Sequence, residues 1–489
     1  MTPADLRTRP PAPGTAPTEP ASPTAPAPSA TRLRDRPGRT DGAALAAVFA
    51  VLYAVVAVSR WARYETMSWD LGIFVQVVDS YAHLRTPEAD LKGPGFDILG
   101  DHFSPVLALL APLYRLWPSP VTLLLAQSVL LGWSVHPVTS AAARLLGRRT
   151  GLLIGAAYGM SWGLQKAADF DFHEIAFAVP LIAASLAATV TERWRAALLW
   201  ALPLVLVKED LGLTCAALAA VVAWRCRRTG PRDVLPAVVT ACAGVLFCLV
   251  VMTVVIPAVN PQGYDYWNKI DTGSESLTEV LLDGSGEKLR TLVWTLVPTT
   301  GLAALRSPLL LAALPTLAWR MFSNDEHYWS TDWHYSAVLM PVTALALTDA
   351  LPRLRAARRP VVRAYAHHLP AAAAAVALAL GTSLPFASLT EPDTYRTGAH
   401  ADAGRRALAV VPDGASVEAD IVPSAHLADR CRLFWVGNTH GVVPDFIALY
   451  DPARDRADVL SYAKELHPRD RYVIAADTSG YWVLRRASV

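Results

Sequence analysis

Five short segments between apolar runs carry acidic, histidine or lysine side chains. They are Trp69-Asp70, Asp101-His102, the run 169–174, Lys208-Glu209-Asp210 and the stretch 324–334, which ends at His334. Carboxylates and imidazoles move protons in general acid–base catalysis. Lysine pairs with phosphate as a point charge, and carboxylates with imidazoles bind divalent cations. The residue types therefore indicate acid–base, phosphate-binding or metal chemistry.

The connections between the apolar runs alternate in charge. Arginines concentrate in a second set of connections, at 32–39, 144–149, 193–195, 225–232, 306 and 353–363. Cytoplasmic loops of membrane proteins carry an excess of Lys and Arg. The arginine-rich set is therefore predicted to be cytoplasmic. All five polar segments are then predicted to face the outer side, where they would form one site.

The composition is typical of a membrane protein. Of the 489 residues, 53% are hydrophobic and only 18% are charged, whereas a soluble chain carries about a quarter charged residues. The net charge is +2 and the basic residues are sorted by side, which argues against a nucleic-acid-binding face. The five cysteines have no spacing typical of disulfides or zinc ligands. We expect a multi-pass protein of the plasma membrane.

The apolar runs predict about eleven transmembrane helices. Residues 1–41 are rich in Pro, Ala and Thr and are predicted to form a disordered cytoplasmic tail. A transmembrane domain follows over 42–387 and starts with an uncleaved span at 42–60. The other predicted spans are 119–143, 151–168, 175–191, 234–257, 290–305, 307–321, 335–351 and 368–386, together with a helix pair in 196–224.

The helix pair is predicted because Lys208-Glu209-Asp210 interrupts the apolar run 196–224. A single helix would place three ionised groups at the centre of the bilayer, where each costs several kcal/mol. It would also put Arg195 and Arg225 on opposite sides of the membrane. Two short helices avoid both problems if their junction lines a protein cavity.

The first outer loop, 61–102, is long for a connection and is expected to be functional. Residues 71–81 have the apolar periodicity of a short helix lying in the membrane interface. Asp70 immediately precedes this helix, so it is either a catalytic group or the N-cap that satisfies the first amides. The same two interpretations hold for Asp101-His102, which precede Pro105.

The densest polar cluster is the run 169–174. Asp169, Asp171 and His173 alternate with phenylalanines, so an extended segment would point them to one side. Together with Glu174 they form a candidate site for Mg²⁺ or Mn²⁺. The alternative is a solvated loop that caps the following helix.

Two further segments each have two interpretations. Lys208 is a candidate phosphate ligand, because a charge at a helix junction is costly to keep without a use. Its alternative role is a salt bridge with Glu209 or with an acid of a neighbouring loop. The late loop, 321–335, interleaves aromatic residues with Asp and His. This pattern fits a carbohydrate-stacking surface, and equally the aromatic belt at a membrane interface.

The C-terminal region, 388–489, differs in composition because charged residues return and apolar runs shorten. Strand patterns cover 416–422, 433–436, 446–450, 472–476 and 481–484, and helical patterns cover 404–411 and 456–466. Strands that alternate with helices predict a small α/β domain. We expect it on the outer side, where it serves either in acceptor recognition or as support.

Several motifs occur in the order typical of a known family. They are Ser68-Trp69-Asp70-Leu71-Gly72-Ile73-Phe74, Asp101-His102-Phe103-Ser104-Pro105, Asp171-Phe172-His173-Glu174, Lys208-Glu209-Asp210-Leu211-Gly212 and His334-Tyr335-Ser336-Ala337. From Ala44 onward the chain resembles the DUF2079 family of polytopic membrane proteins, a family without an established activity. Its layout in turn resembles the C-type glycosyltransferase (GT-C) superfamily, whose members take sugars from polyprenyl-phosphate carriers.

The GT-C resemblance implies an inverting sugar transfer, with a polyprenyl-phosphate sugar as partner and no soluble nucleotide cofactor. Asp70 matches the acid of the first outer loop, which is normally the catalytic base. Candidates for binding the leaving phosphate are His102, Lys208 and His334, and candidates for supporting them are Asp101, Glu209 and Asp210. Two other classes stay open: a transporter or lipid flippase with a broken helix at Lys208, and a non-catalytic scaffold or sensor.

Overall fold

The computed structural model describes residues 39–228, 230–260, 263–269 and 277–487. The predicted disordered tail, 1–41, lies outside the described residues except for its last three, which begin the first helix. The helices of the predicted transmembrane domain are α1 (Arg39–Ala62), α2 (Leu71–Ala82), α3 (Ala111–Leu116), α4 (Pro120–Leu146), α5 (Arg148–Gly159), α6 (Trp162–Phe170), α7 (Ile175–Val190), α8 (Trp194–Ala201), α9 (Leu211–Cys226), α10 (Pro231–Val250), α11 (Ile256–Val259), α12 (Leu277–Leu282), α13 (Ser285–Thr300), α14 (Leu314–Phe322), α15 (Leu339–Arg355) and α16 (Pro360–Leu380).

Among the described residues, three helical segments are long and apolar enough to cross a membrane alone. They are α1, α4 and the continuous run Pro231–Val259, which contains α10, a π-helical turn at Val251–Val255 and α11. All three coincide with predicted spans. Other predicted spans correspond to shorter apolar helices, so the number of about eleven spans stays a prediction.

The predicted break at Lys208-Glu209-Asp210 is confirmed. The chain continues from α8 into a 3-10 helix, Leu202–Leu206, and then passes through residues 207–210 into α9. The two helices pack against each other. The polar tripeptide therefore lies at the junction of two short helices, as the cost of placing three charges in lipid requires.

The prediction of one continuous helix over 151–168 is wrong. The described chain has α5 ending at Gly159 and α6 starting after a short break. Side chains bond the carbonyls at this break: the Tyr53 hydroxyl donates to Gly159 O (2.5 Å), and the Gln165 amide donates to Met160 O (2.7 Å). Hydrophobic periodicity cannot reveal the break, because Tyr53 reaches it only through tertiary packing.

Arginines from separate predicted cytoplasmic connections meet at Asp349, near the end of α15. Arg225 forms an ion pair with Asp349, and Arg353 binds the same carboxylate at 2.6 Å. Arg353 also donates to the backbone carbonyl of Arg306 (3.3 Å). These connections thus lie together at one end of the helices, which the alternation of charge requires.

The C-terminal residues form the predicted α/β domain. The described strands are β1 (Ser416–Ala419), β2 (Arg432–Trp435), β3 (Phe446–Tyr450), β4 (Tyr472–Thr478) and β5 (Tyr481–Arg486), and they make one sheet in the order β2-β1-β3-β5-β4. β1 is parallel to β2 and β3, and β5 is antiparallel to β3 and β4. The helices are α17 (Ala399–Leu408), α18 (Ile421–Leu427) and α19 (Arg456–Leu466). The sequence pattern predicts all of these elements except α18.

The sheet domain packs on the first loop and on α2. The amide of Ser68 donates to the carbonyl of Ile421 (2.9 Å). The side-chain amide of Gln76, on α2, donates to the carbonyl of Leu433 (2.9 Å). The start of α2, and with it Asp70, therefore lies where the helical part and the sheet domain meet.

Candidate active site

A cavity of about 390 Å³ lies between α2, α9, α10 and α14. The residues predicted for catalysis and phosphate binding line it, namely Asp70, His102, Lys208 and His334. The predicted supporting residues line it as well, namely Asp101, Glu209 and Asp210. The fold thus gathers segments that are far apart in the sequence onto one wall, while their chemical roles stay predictions.

Another part of the same cavity is apolar. It is lined by Leu213 on α9, by Leu249 and Met252 on the α10 run, and by Ala318 on α14. Leu213 and Leu249 are 40% and 52% exposed. The cavity therefore has a polar part and an apolar part, which suits an amphipathic ligand.

Asp70 occupies the N-cap position of α2, but its carboxylate makes no capping hydrogen bond to the described backbone. Asp171 does the capping: its Oδ2 accepts the amides of Asp70 (2.9 Å) and Leu71 (3.0 Å). A carboxylate at a helix start satisfies amides that lack an intrahelical partner. Asp70 therefore does not act as the side-chain cap of α2, and its catalytic role stays a prediction.

Two histidines lie beside the Asp70 carboxylate. Asp70 Oδ2 is 4.0 Å from His173 Nε2, and the His173 ring stacks on the His334 ring with centroids 3.7 Å apart. Burial raises the pKa of Asp70 and lowers the pKa of His334. A raised carboxyl pKa brings a general base closer to neutral pH. A neutral His334 has one donor and one acceptor nitrogen.

Lys208 forms a salt bridge with an acid of a neighbouring loop, and its role as a phosphate ligand stays a prediction. Its Nζ lies 3.5 Å from Oε1 of Glu174, an acid of a neighbouring loop, and its side chain lines the cavity. Burial opposes ionisation of Glu174, but the neighbouring His173 and Lys208 lower its pKa and keep it charged. An ammonium has three donors, so Lys208 can pair with Glu174 and with an anion at the same time.

Glu209 holds His102 in position. His102 Nδ1 lies 2.8 Å from Glu209 Oε1, and the Phe103 amide donates to Glu209 Oε2 (3.1 Å). The hydroxyl of Tyr264 also donates to Glu209 Oε1 (2.8 Å). A carboxylate on Nδ1 fixes which ring nitrogen of His102 faces outward. Glu209 is thus a positioning residue.

The four predicted metal ligands make different contacts. Asp169 pairs with Arg60 (2.5 Å), and Asp171 accepts the first amides of α2. His173 Nδ1 lies 2.9 Å from Glu174 Oε2, His173 also lies beside Asp70 and His334, and Glu174 pairs with Lys208 (3.5 Å). Among the described residues, a compact group of ligand atoms comes from Asp70, His173 and His334, which lie within 4.8 Å of one another. Of the four predicted ligands, only His173 belongs to this group.

Gln127, on α4, is a positioning residue that the sequence analysis missed. Its Oε1 accepts the amide of His173 (3.1 Å), and its Nε2 donates to the carbonyls of Ala167 (3.1 Å) and Asp171. It therefore fixes the run that supplies both the cap of α2 and the histidine beside Asp70. The available signal was the one side-chain amide in the predicted span 119–143.

Arg320, at the end of α14, organises the late loop. It is fully buried and donates to the carbonyls of Tyr328 (2.7 Å) and Ser330 (2.9 Å) and to the Ser336 hydroxyl (3.1 Å). These bonds fix both flanks of His334. The sequence analysis did not select Arg320; the available signal was an arginine directly before the late loop and outside the arginine-rich connections.

Lysines other than Lys208 also line the cavity. Lys92 pairs with Asp101 at 3.0 Å. Lys269 donates to the Tyr328 hydroxyl at 2.8 Å. The sequence analysis did not select either lysine, because each lies in a loop without a recognisable motif.

Three residues that line the cavity each carry a buried polar atom without a protein partner. Among the described residues, Asp210 Oδ1, Trp319 Nε1 and His334 Nδ1 are buried on its wall and have no hydrogen-bond partner. Buried polar atoms in proteins are nearly always bonded to protein or water. Burial raises the pKa of Asp210 to about 6.

The helices, the cavity and the sheet domain define a membrane protein with a GT-C fold. ArnT from Cupriavidus metallidurans bound to undecaprenyl phosphate aligns with a TM-score of 0.56, covering 91% of this chain and 98% of that chain. The same protein in the apo state aligns with a TM-score of 0.51 over the same shares. The identity is 13% in both comparisons, so the similarity establishes the fold alone.

The chain belongs to the DUF2079 family of predicted membrane proteins, whose model matches residues 62–483. No curated protein matches the sequence. The resemblance to this family, inferred from the motifs, is thereby confirmed, and the expected GT-C-like fold is found.

Proposed function

We propose that this protein is an integral-membrane glycosyltransferase that uses a polyprenyl-phosphate-linked sugar as donor at the outer face of the plasma membrane. The observation that carries the proposal is the cavity that joins the Asp70 carboxylate and lysine side chains to an apolar part. In this account the N-terminus is cytoplasmic and the sheet domain lies outside.

A polyprenyl-phosphate sugar matches both parts of the cavity. Its isoprenoid chain suits the surface of Leu213 and Leu249, where burial of apolar groups is favourable. Its phosphate suits Lys208, Lys92 and Lys269, since charge-assisted hydrogen bonds to phosphate are among the stronger ones. The GT-C structure aligned above is of a protein bound to undecaprenyl phosphate, which is a ligand of this chemical class.

The proposed reaction is an inverting displacement at the anomeric carbon. Asp70 takes the proton of an acceptor hydroxyl, and the hydroxyl oxygen forms a bond to the anomeric carbon of the donor. The bond from that carbon to the phosphate oxygen breaks, and the polyprenyl phosphate leaves with the electron pair. General-base help of this kind contributes about two to four orders of magnitude in rate.

The leaving phosphate gains negative charge in this step, so the cations on the wall stabilise the transition state more than the ground state. Lys208 is held there as a charged group by Glu174. His102, oriented by Glu209, and His334 supply further donors.

A divalent cation has no assigned step in this mechanism. Two imidazoles and one carboxylate, from His173, His334 and Asp70, suit Mn²⁺ or Zn²⁺ better than Mg²⁺. A cation there would occupy the carboxylate that the mechanism uses as base, and it would be repelled by Lys208. Chelation with EDTA is therefore expected to leave sugar transfer intact.

Mass spectrometry of surface glycans and of polyprenyl-phosphate sugars tests the proposal, in cells that lack the protein and carry wild type, Asp70→Asn or Asp79→Asn. Asp79 is the matched control, because it lies on α2 and pairs with Arg85 (2.7 Å) outside the cavity. In cells that lack the protein or carry Asp70→Asn, we expect a glycan to disappear and its lipid donor to accumulate on the outer leaflet. Wild type and Asp79→Asn should restore the glycan. Donor accumulation on the inner leaflet, with full rescue by Asp70→Asn, would identify a flippase instead.

A further inference from the structure

We propose that a second cavity, on the other side of the wall from the first, binds a carbohydrate acceptor. This tryptophan groove has a volume of about 270 Å³ and is lined by Arg60, Met67, Trp69, Lys166, Asp169, Phe170, Asp332 and Trp333. The inference rests on the proposed function, because an acceptor site has meaning only if a donor sugar is transferred.

Consecutive residues of the chain line the two cavities at two places. Trp69 lines the groove while Asp70 lines the donor cavity, and Trp333 lines the groove while His334 lines the donor cavity. Neighbouring Cα atoms are about 3.8 Å apart. Phe170 contacts both sides, with ring centroids 5.2 Å from Trp333 and 5.0 Å from His334. The groove is therefore lined by the immediate chain neighbours of the proposed base and of His334.

The aromatic surfaces of the groove suit sugar rings. Trp69 is 46% exposed, and its ring stands at 85° to that of Trp333 with centroids 6.4 Å apart. On its other side Trp69 lies nearly parallel to Trp435 of the sheet domain, at 6.3 Å. Aromatic faces are electron-rich and attract the C–H bonds on the flat faces of pyranose rings. Perpendicular tryptophans thus offer two contact faces to a saccharide.

The polar groups of the groove are paired, partly exposed and neutral in sum. Arg60 and Asp169 lie 2.5 Å apart with about a quarter of each side chain exposed, and Lys166 and Asp332 lie 2.8 Å apart. Such pairs present donors and acceptors side by side, as hydroxyl groups require. Two cations and two anions give no net attraction for a phosphate or for a charged peptide.

The backbone at Trp333 is strained in a way that fixes the groove. Its φ is 65°, a left-handed conformation that is a genuine outlier for a bulky residue. Strained residues persist where the surrounding structure holds them, and they cluster at functional sites. Trp333 lines the groove, and the next residue, His334, lines the donor cavity.

Saturation-transfer NMR on the whole protein in nanodiscs tests the inference. The probe is the oligosaccharide fraction released by mild acid from envelopes of cells that lack the protein, which contains the unmodified acceptor. We expect saturation transfer with wild type and with Trp69→Phe, and a loss of about tenfold or more with Trp69→Ala or Trp333→Ala. Trp117→Ala is the control, because Trp117 is 53% exposed outside the groove and should bind as wild type does.

Binding of undecaprenyl phosphate to the same samples, followed by native mass spectrometry, separates this inference from the proposed function. Loss of saccharide binding with retained lipid binding supports the groove. The acceptor-groove inference is overturned if wild type binds the lipid but no saccharide. It is also overturned if Trp69→Ala binds the saccharide as well as wild type does, or if saturation transfer reaches envelope peptides and not the saccharide. A wild type that does not bind the lipid contradicts the proposed function itself.

Discussion

Asp171 Oδ2 accepts the backbone amide of Asp70 at 2.9 Å. Asp171 therefore caps α2, although Asp70 is the residue at the N-cap position. The amide of Leu71 donates to the same oxygen at 3.0 Å. Because Asp171 makes the capping hydrogen bonds, the Asp70 carboxylate stays on the cavity wall, beside His173. It also makes the position of Asp70 depend on a loop that Gln127 fixes from α4.

The capping role of Asp171 has a local consequence. Asp171→Ala removes the acceptor of two amides, and loss of an N-cap costs about 1 kcal/mol of helix stability. We expect faster hydrogen exchange in the first turn of α2, while Asp171→Asn, which keeps an acceptor oxygen, changes it little. Asp70→Ala should leave this exchange unchanged. The reverse pattern, with fraying in Asp70→Ala and none in Asp171→Ala, would restore Asp70 as the cap.

Lys208 should bind phosphate and also neutralise Glu174. Lys208→Met leaves a fully buried carboxylate without its lysine, and breaking a buried pair from one side costs roughly 3–5 kcal/mol. We expect a lower Tm, which the double variant Lys208→Met with Glu174→Gln recovers. Both variants should bind undecaprenyl phosphate at least about tenfold more weakly, unlike the exposed control Lys464→Met. Wild-type lipid affinity in the stabilised double variant would exclude Lys208 as a phosphate ligand.

The sheet domain should lose stability as the pH rises, because of Asp420. Burial raises the pKa of this carboxyl to about 7, above the value of about 3.9 in an unfolded chain. The folded domain thus holds the proton more tightly. The stability from this proton is complete below about pH 4 and is lost as the pH rises through about 7.

Hydrogen exchange of β1 and β3 in the whole protein measures this dependence. Between about pH 5 and pH 8 we expect protection to fall in wild type relative to Asp420→Asn, by an amount on the order of a few kcal/mol. Asp420→Asn cannot ionise and provides the reference for intrinsic exchange at each pH. Parallel behaviour of both proteins would mean that Asp420 stays ionised in the fold.

The proposed orientation predicts which side of the membrane is accessible. Asp413 in the sheet domain has 84% of its side chain exposed, and Arg358 is exposed at the end that carries the arginines. With Cys431 replaced by serine, a membrane-impermeant maleimide should label Asp413→Cys in intact cells. Arg358→Cys should react only after permeabilisation. Labelling of Arg358→Cys alone in intact cells would invert the topology.

Much of the fold follows from local sequence. The strands of the C-terminal domain alternate or run apolar between turn residues, and three charges in succession at Lys208 reveal the break between α8 and α9. The missed features depend on distant partners. Tyr53 supports the break between α5 and α6 by donating to Gly159, 106 residues along the chain, and no local pattern encodes such a contact.

The candidate site also has a part that the sequence predicts and a part that it does not. Acidic and histidine residues of predicted outer loops were recognisable by type, and the fold gathers Asp70, His102, Lys208 and His334 on one cavity. Their partners were not recognisable. Asp171 was selected as a metal ligand because it alternates with Asp169 and His173, yet its carboxylate caps α2. Burial and helix position decide between such roles, and a sequence motif contains neither.

The most direct test of the account is sugar transfer by purified protein in liposomes, with lipid extract of cells lacking the protein as donor and their released glycans as acceptor. We expect Asp70→Asn to reduce transfer by at least about two orders of magnitude. It should keep wild-type Tm and undecaprenyl phosphate binding, and Asp79→Asn should behave as wild type. Transfer by Asp70→Asn at the wild-type rate would contradict the assignment of Asp70 as the base.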